Sequence, residues 1–214
     1  MAFERCLLSK LSRKMSIQPK TVREQVTNQI RDDLLSGRFE AGSMLREIEL
    51  ASRFGVSRGP VRDAFIQLSH EGYLAYYANR GVMVRHPPNP EDRKFITAIR
   101  QDIETHVVMK GASQVTEESL KVVEVALDRL KAACDAGKAT VIALRDVEFH
   151  ESVLVACGGD DMLGAWRQLC SRMLLTYTRH ENYAQTYREH FEIFTPLADN
   201  DAKSTVAAIR ANIR

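Results

Sequence analysis

No run of about 18 uncharged apolar residues occurs in this chain, and charges interrupt the apolar patch of its opening stretch, MAFERCLLSKLSRKMSIQPK. Neither a membrane-spanning helix nor a secretory signal is expected, and the reading is of a soluble protein of the cytoplasm. Cysteine is scarce and scattered: Cys6, Cys134, Cys157 and Cys170 form no CxxC pair and no zinc-like cluster. In a reducing compartment such cysteines pack as small hydrophobes, so no disulfide or thiol chemistry is assigned to them. Internal repeats and low-complexity tracts are lacking too. Proline is absent between Pro90 and Pro196, which leaves helical periodicity uninterrupted through that stretch.

Net charge is nearly absent, +2 over 214 residues, but the total hides an asymmetry. Residues 1–85 hold 14 Lys and Arg against 9 Asp and Glu, and residues 86–214 hold 16 against 19. A polyanionic partner is therefore expected for the first part and not the second. With 44% apolar residues the chain has enough to bury a core in each of two domains. The expected division is a basic arm over 1–20, a first domain over 21–85, a linker over 86–92 and a second domain over 93–214. The linker is read from HPPNPED, where three prolines stiffen the chain.

In the first domain, Val22, Val26, Ile30, Leu34 and Leu35 predict a helix over 21–36, ended by Gly37. A short helix over 46–54 stops at Gly55, where a left-handed residue is cheapest without a Cβ. Ser57 then caps a third helix with Pro60 in its first turn and Val61, Ala64, Phe65 and Leu68 as its apolar stripe. YLAYYANRGVMVRH alternates around Asn79, Arg80 and Gly81 and predicts a small hairpin. Three helices and a hairpin in this order make a winged helix-turn-helix, whose third helix offers its first turns to base edges and phosphates. Arg58 and Arg62 share one face of that helix, and their guanidinium groups suit guanine or phosphate. Ser57 leaves first-turn N–H groups that a phosphate can approach, and Arg80 beside Gly81 is placed to reach the minor groove. The competing reading makes Arg58 and Arg62 ordinary surface arginines paired with Asp63 or Glu47.

The stretch GRFEAGSMLREIELASRFGVSRGPVRDAFIQLSHEGYL, followed by NRGVMV, resembles the DNA-binding domain of GntR-family bacterial transcription regulators. The resemblance implies that Ser57, Arg58, Gly59 and Arg62 contact operator DNA, and that Gly81 approaches the minor groove. Gly59 stands where the family usually has Thr, and the lost hydroxyl implies an altered operator preference.

The second domain predicts six helices, over 91–113, 117–136, 139–157, 161–180, 184–199 and 201–213, so the fold is mainly α. In LRDVEFHESVL, Asp146 and His150 fall on one helical face, and His190 sits in REHFEIF on a later helix. A carboxylate and two imidazoles suit Zn, Ni, Mn or Fe, although by spacing alone a partly buried Asp–His pair is more often a hydrogen-bonded structural pair. The bundle resembles the FCD effector domain of FadR-type regulators, in its shorter, VanR-like branch. That resemblance implies a divalent metal held by Asp146, His150 and His190, with Asn212 where relatives carry a fourth ligand, His. It further implies a small carboxylate effector, with Arg100 as its counter-charge; the plainer reading pairs Arg100 with Glu104 at the surface.

Together these features predict a ligand-responsive repressor, not an enzyme, that binds a palindromic operator as a homodimer. Two other classes compete. A metallohydrolase using Asp146, His150 and His190 lacks a carboxylate with a claim to be general base. A constitutive DNA-binding protein would carry the same bundle as structure alone.

Overall fold

The computed structural model describes residues 20–77, 81–175 and 182–213. Its first helix, α1 (Val22–Leu35), starts at a reciprocal cap in which Thr21 and Glu24 satisfy each other's backbone N–H groups. Val26, Ile30 and Leu34 recur every fourth residue and are buried. Strand β1 (Met44–Leu45) leads into α2 (Glu47–Phe54), which Gly55 ends in the left-handed conformation. Helix α3 (Arg58–His70) follows, with β2 (Leu74–Tyr77) and β3 (Gly81–Val84) completing an antiparallel sheet of order β1-β3-β2. The sheet has one strand more than the hairpin expected from sequence, because Met44 and Leu45 pair with Met83 and Val82. Gly81 has a positive φ of 101°, and a Cβ there would fall 2.4 Å from the Leu45 carbonyl oxygen. Close packing of β1 on β3 thus requires glycine at this position.

The second domain has six α-helices among the described residues. They are α4 (Pro90–Gly111), α5 (Glu117–Ala136), α6 (Ala139–Ala156), α7 (Leu163–Leu174), α8 (Tyr183–Ala198) and α9 (Ala202–Asn212). Helix α4 begins inside the proline-rich stretch: Asn89 caps it and Pro90 takes the first-turn position, where a missing N–H costs nothing. Phe149, Leu154, Trp166, Ile193, Leu197 and Ile209 fill the core between these helices. Cys134, Cys157 and Cys170 are buried free thiols, and Cys6 lies outside the described residues. Gly111 lets the end of α4 approach the end of α6, since a Cβ there would meet the Cys157 carbonyl.

The two domains share packing. Ala143, Leu144 and Val147 of α6 and Leu174 of α7 join the core formed by Ile30, Leu34, Phe65, Leu68 and Leu74. Tyr73, buried between them, hydrogen-bonds Ser171, and burial pushes its hydroxyl up to about 12. No helix among the described residues is long and apolar enough to cross a membrane.

Candidate functional site

Ser57 sits at the N-cap of α3, and its hydroxyl makes no cap hydrogen bond, so the first-turn N–H groups stay open to an acceptor. Arg58 and Arg62 project from the exposed face of that turn toward Glu47 at the start of α2. Arg62 donates Nε to Oε1 at 2.9 Å and Nη2 to Oε2 at 3.0 Å, and Arg58 donates Nη2 to Oε2 at 3.1 Å. Both arginines keep more than half of their side chains exposed, 57% and 59%. Glu47 therefore aligns two guanidinium groups without covering them. The Arg62 hydrogen bonds hold the Glu47 carboxyl below its ordinary value, with burial working the other way and Arg58 adding to the lowering. The sequence reading met this pairing only as the competing explanation for the arginines; the geometry is compatible with both roles.

An open groove of about 1300 Å³ runs beside these arginines, lined also by Ile48, Ile66, Tyr76 and Gly81. Gly59 faces open space, so the Thr usual in the family would meet no steric obstacle there. Arg80 lies outside the described residues. Gly81 borders the groove, and its glycine is already required by the sheet.

In the second domain Asp146, His150 and His190 come together as expected: one ligand-type atom from each lies within 4.8 Å of the others, and all three are buried. Asp146 and His150 stand one turn apart on α6, and α8 brings His190 across so that its Nε2 lies 2.7 Å from Asp146 Oδ1. Asn212, at the end of α9, reaches the same centre, its Oδ1 3.1 Å from His150 Nε2.

The proton positions follow from the outer partners. His190 Nδ1 is 2.7 Å from the Thr186 carbonyl oxygen, which can only accept, so the ring proton sits on Nδ1. His150 Nδ1 is 2.7 Å from Glu104 Oε2, a carboxylate that likewise accepts. Burial lowers the His150 pKa and favours its neutral form. Each ring turns its Nε2 inward, toward the oxygens of Asp146 and Asn212. His190 Nε2 and Asp146 Oδ1 are close without hydrogen-bond geometry between them. Two imidazole nitrogens, a carboxylate and an amide oxygen converging in a dry interior fit a borderline divalent ion.

Glu104 is the residue that sequence reasoning undervalued. It is not a surface partner of Arg100: both are buried, 1% and 4% exposed. Its Oε1 accepts from Arg100 Nε at 2.7 Å and from Trp166 Nε1 at 2.7 Å, while Oε2 holds His150. Burial works to raise its pKa, and the adjoining His150 and Arg100, with the hydrogen bonds from His150 and Trp166, overcome that and keep the carboxyl ionised. Arg100 Nη2 is buried with no hydrogen-bond partner, and its guanidinium lies 5.8 Å from the centre of the Trp166 ring. The signal for Glu104 was its spacing four residues after Arg100, which placed the pair on one helical face without revealing burial.

Residues 22–84 match the family described as bacterial regulatory proteins, gntR family, and residues 96–214 match the FCD domain. The chain belongs to the GntR family and carries an FCD domain. This regulator is 27% identical over 200 residues to the HTH-type transcriptional repressor RspR of Escherichia coli (strain K12), with 90% of the chain and 86% of the relative covered. It is 29% identical over 154 residues to the probable D-xylose utilization operon transcriptional repressor of Paenarthrobacter nicotinovorans, at 70% and 67% coverage. The solved structure of E. coli McbR/YncC shares the fold, with a TM-score of 0.72 at 19% identity over 91% of this chain and 94% of that one. GntR-family regulators bind operator DNA, and this one is a transcription regulator and not an enzyme.

Proposed function

We propose that this regulator is a cytoplasmic repressor that binds a palindromic operator as a homodimer and releases it when a small carboxylate occupies a divalent-metal centre in the FCD domain. The supporting observation is the convergence of His150 Nε2, His190 Nε2, Asp146 Oδ1 and Asn212 Oδ1, with both Nδ1 protons already committed to Glu104 and Thr186. Asp146, His150 and His190 would hold the ion, with Asn212 as a neutral and weaker fourth donor. Bound there, the ion supplies a Lewis-acid anchor for a carboxylate oxygen. The chain's own residues do the rest. Glu104 and Thr186 fix the ring orientations, and Arg100, whose field also reaches Asp146, offers Nη2 to the ligand's negative charge.

On the operator, Arg58, Arg62 and the open N-terminus of α3 make the contacts, joined by Gly59 and the wing residues Arg80 and Gly81. Coupling between the two sites runs through α6, which carries Asp146 and His150 on one face and packs Ala143 and Leu144 against the DNA-binding domain. A ligand that favours one placement of α6 biases where that domain sits. To test the proposal, an operator selected from random duplex DNA by the protein itself would be titrated with zinc-loaded and metal-stripped protein against a panel of small organic acids. Release by one or more acids only in the loaded protein is expected; equal operator affinity throughout would mean a constitutive DNA-binding protein.

A further inference from the structure

The outer face of α5 has a pattern that neither proposed site uses. Its buried face, Val123, Ala126, Leu127 and Leu130, is already committed to the core. Beside it runs a second stripe, Glu118, Val122, Val125 and Arg129, spaced by four, three and four residues. Val122 and Val125 are 59% and 48% exposed, and Val155 of α6, also 44% exposed, joins them in a groove of about 470 Å³. β-branched side chains lower helix propensity, so adjoining exposed valines on two helices bring the isolated chain no stability. The ends of the stripe are charged with opposite sign: Glu118 makes no ion pair among the described residues, and Arg129, next to Glu148 at 2.6 Å, stays 56% exposed.

We infer that this stripe is the seam of a symmetric dimer in which α5 packs antiparallel on α5 of a second copy of the chain. The register is set by the sequence. A twofold axis between Val123 and Glu124 places Val122 against the partner's Val125 and Glu118 against the partner's Arg129, each contact occurring twice. A copy of the same helix answers both the apolar centre and the reversed charges of the rim, and this self-complementarity argues for it as the occupant. Lys121 and Arg129 on one wall of the groove and Glu148 and Glu151 on the other leave its rim without excess charge of one sign. The inference rests on the proposed homodimer and names its face.

The test is sedimentation equilibrium of the full chain, with circular dichroism to establish folding. Wild type is expected to dimerise in the micromolar range. Glu118→Arg and Arg129→Glu should each weaken the dimer at least about tenfold, because like charges meet at two symmetric places. The double variant should regain most of the loss. Within one chain the two residues lie about 16 Å apart along the helix, so recovery can come only across an interface of this register. Val125→Glu, a folded monomer by expectation, should still bind a single half-site through Arg58. A monomeric wild type would overturn both the seam and the homodimer. A wild-type dimer indifferent to the charge reversals would overturn the seam alone.

Discussion

Two imidazole protons decide what the FCD centre can hold. Thr186 and Glu104 engage the Nδ1 atoms of His190 and His150, and the two Nε2 atoms are left facing Asp146 and Asn212 inside. Asn212 is the weakest of them, a neutral amide oxygen in place of an imidazole. Asn212→His is therefore expected to tighten zinc binding, measured by competition with a chromophoric chelator; unchanged or weaker affinity would place Asn212 outside the coordination sphere. At the other site Glu47 holds Arg58 and Arg62 through a carboxyl whose pKa is lowered from 4.5. A lowered folded-state value means that this carboxylate contributes its full stabilisation above pH 4.5 and loses it as the pH falls through the lower folded value. Glu47→Gln should thus reduce the urea midpoint above pH 4.5, and the difference from wild type should shrink in more acid solution. Asp146, His150 and the two arginines were legible in the sequence because spacing by four residues sets a shared helical face. Asn212 was legible only through family resemblance. The proton positions were not legible at all, since a carbonyl and a carboxylate distant in sequence determine them.

Helices α6 and α7 each do two jobs. On α6, Asp146 and His150 face the buried cluster with His190, and Ala143 and Leu144 face the first domain; on α7, Trp166 holds Glu104 and Ser171 meets Tyr73. Tyr73→Phe deletes one buried hydrogen bond between the domains and leaves Ser171 its bond to the Arg167 carbonyl. A cost of about 1 kcal/mol is expected, seen as a fall of roughly 2–4 °C in Tm by calorimetry, with metal content unchanged. A larger loss accompanied by loss of metal would show that the two sites share more structure than α6 and α7. Element boundaries followed closely from local chemistry: Thr21, Thr116 and Asp201 cap their helices by side-chain hydrogen bonds, Ser57 stands at the N-cap position without one, and Gly55 and Gly137 are left-handed stops. Strand β1 escaped the sequence reading because two residues have no periodicity, and their pairing is decided by a strand some forty positions away. The packing of α6 and α7 on the first domain escaped for the same reason, Ala143 and Leu174 being indistinguishable in sequence from residues of their own bundle.

At the scale of the molecule, charge and function divide at the same place. The basic first part carries the DNA face, and the mildly acidic second part carries a buried centre that suits a cation and, through Arg100, an anion. Arg58→Ala should cost about 1 to 3 kcal/mol in operator affinity, measured by fluorescence anisotropy at fixed salt, and should flatten the salt dependence where the guanidinium meets phosphate. Unimpaired binding would leave Arg58 a surface arginine that serves only to pair with Glu47. The central claim, a metal-centred effector site in a GntR-family regulator, is tested most directly by the metal content of protein purified without chelator, wild type beside His150→Ala. The account predicts close to one divalent ion per chain in the wild type and little in a folded His150→Ala variant. No metal in the wild type, even after soaking with zinc, nickel or manganese, would contradict it.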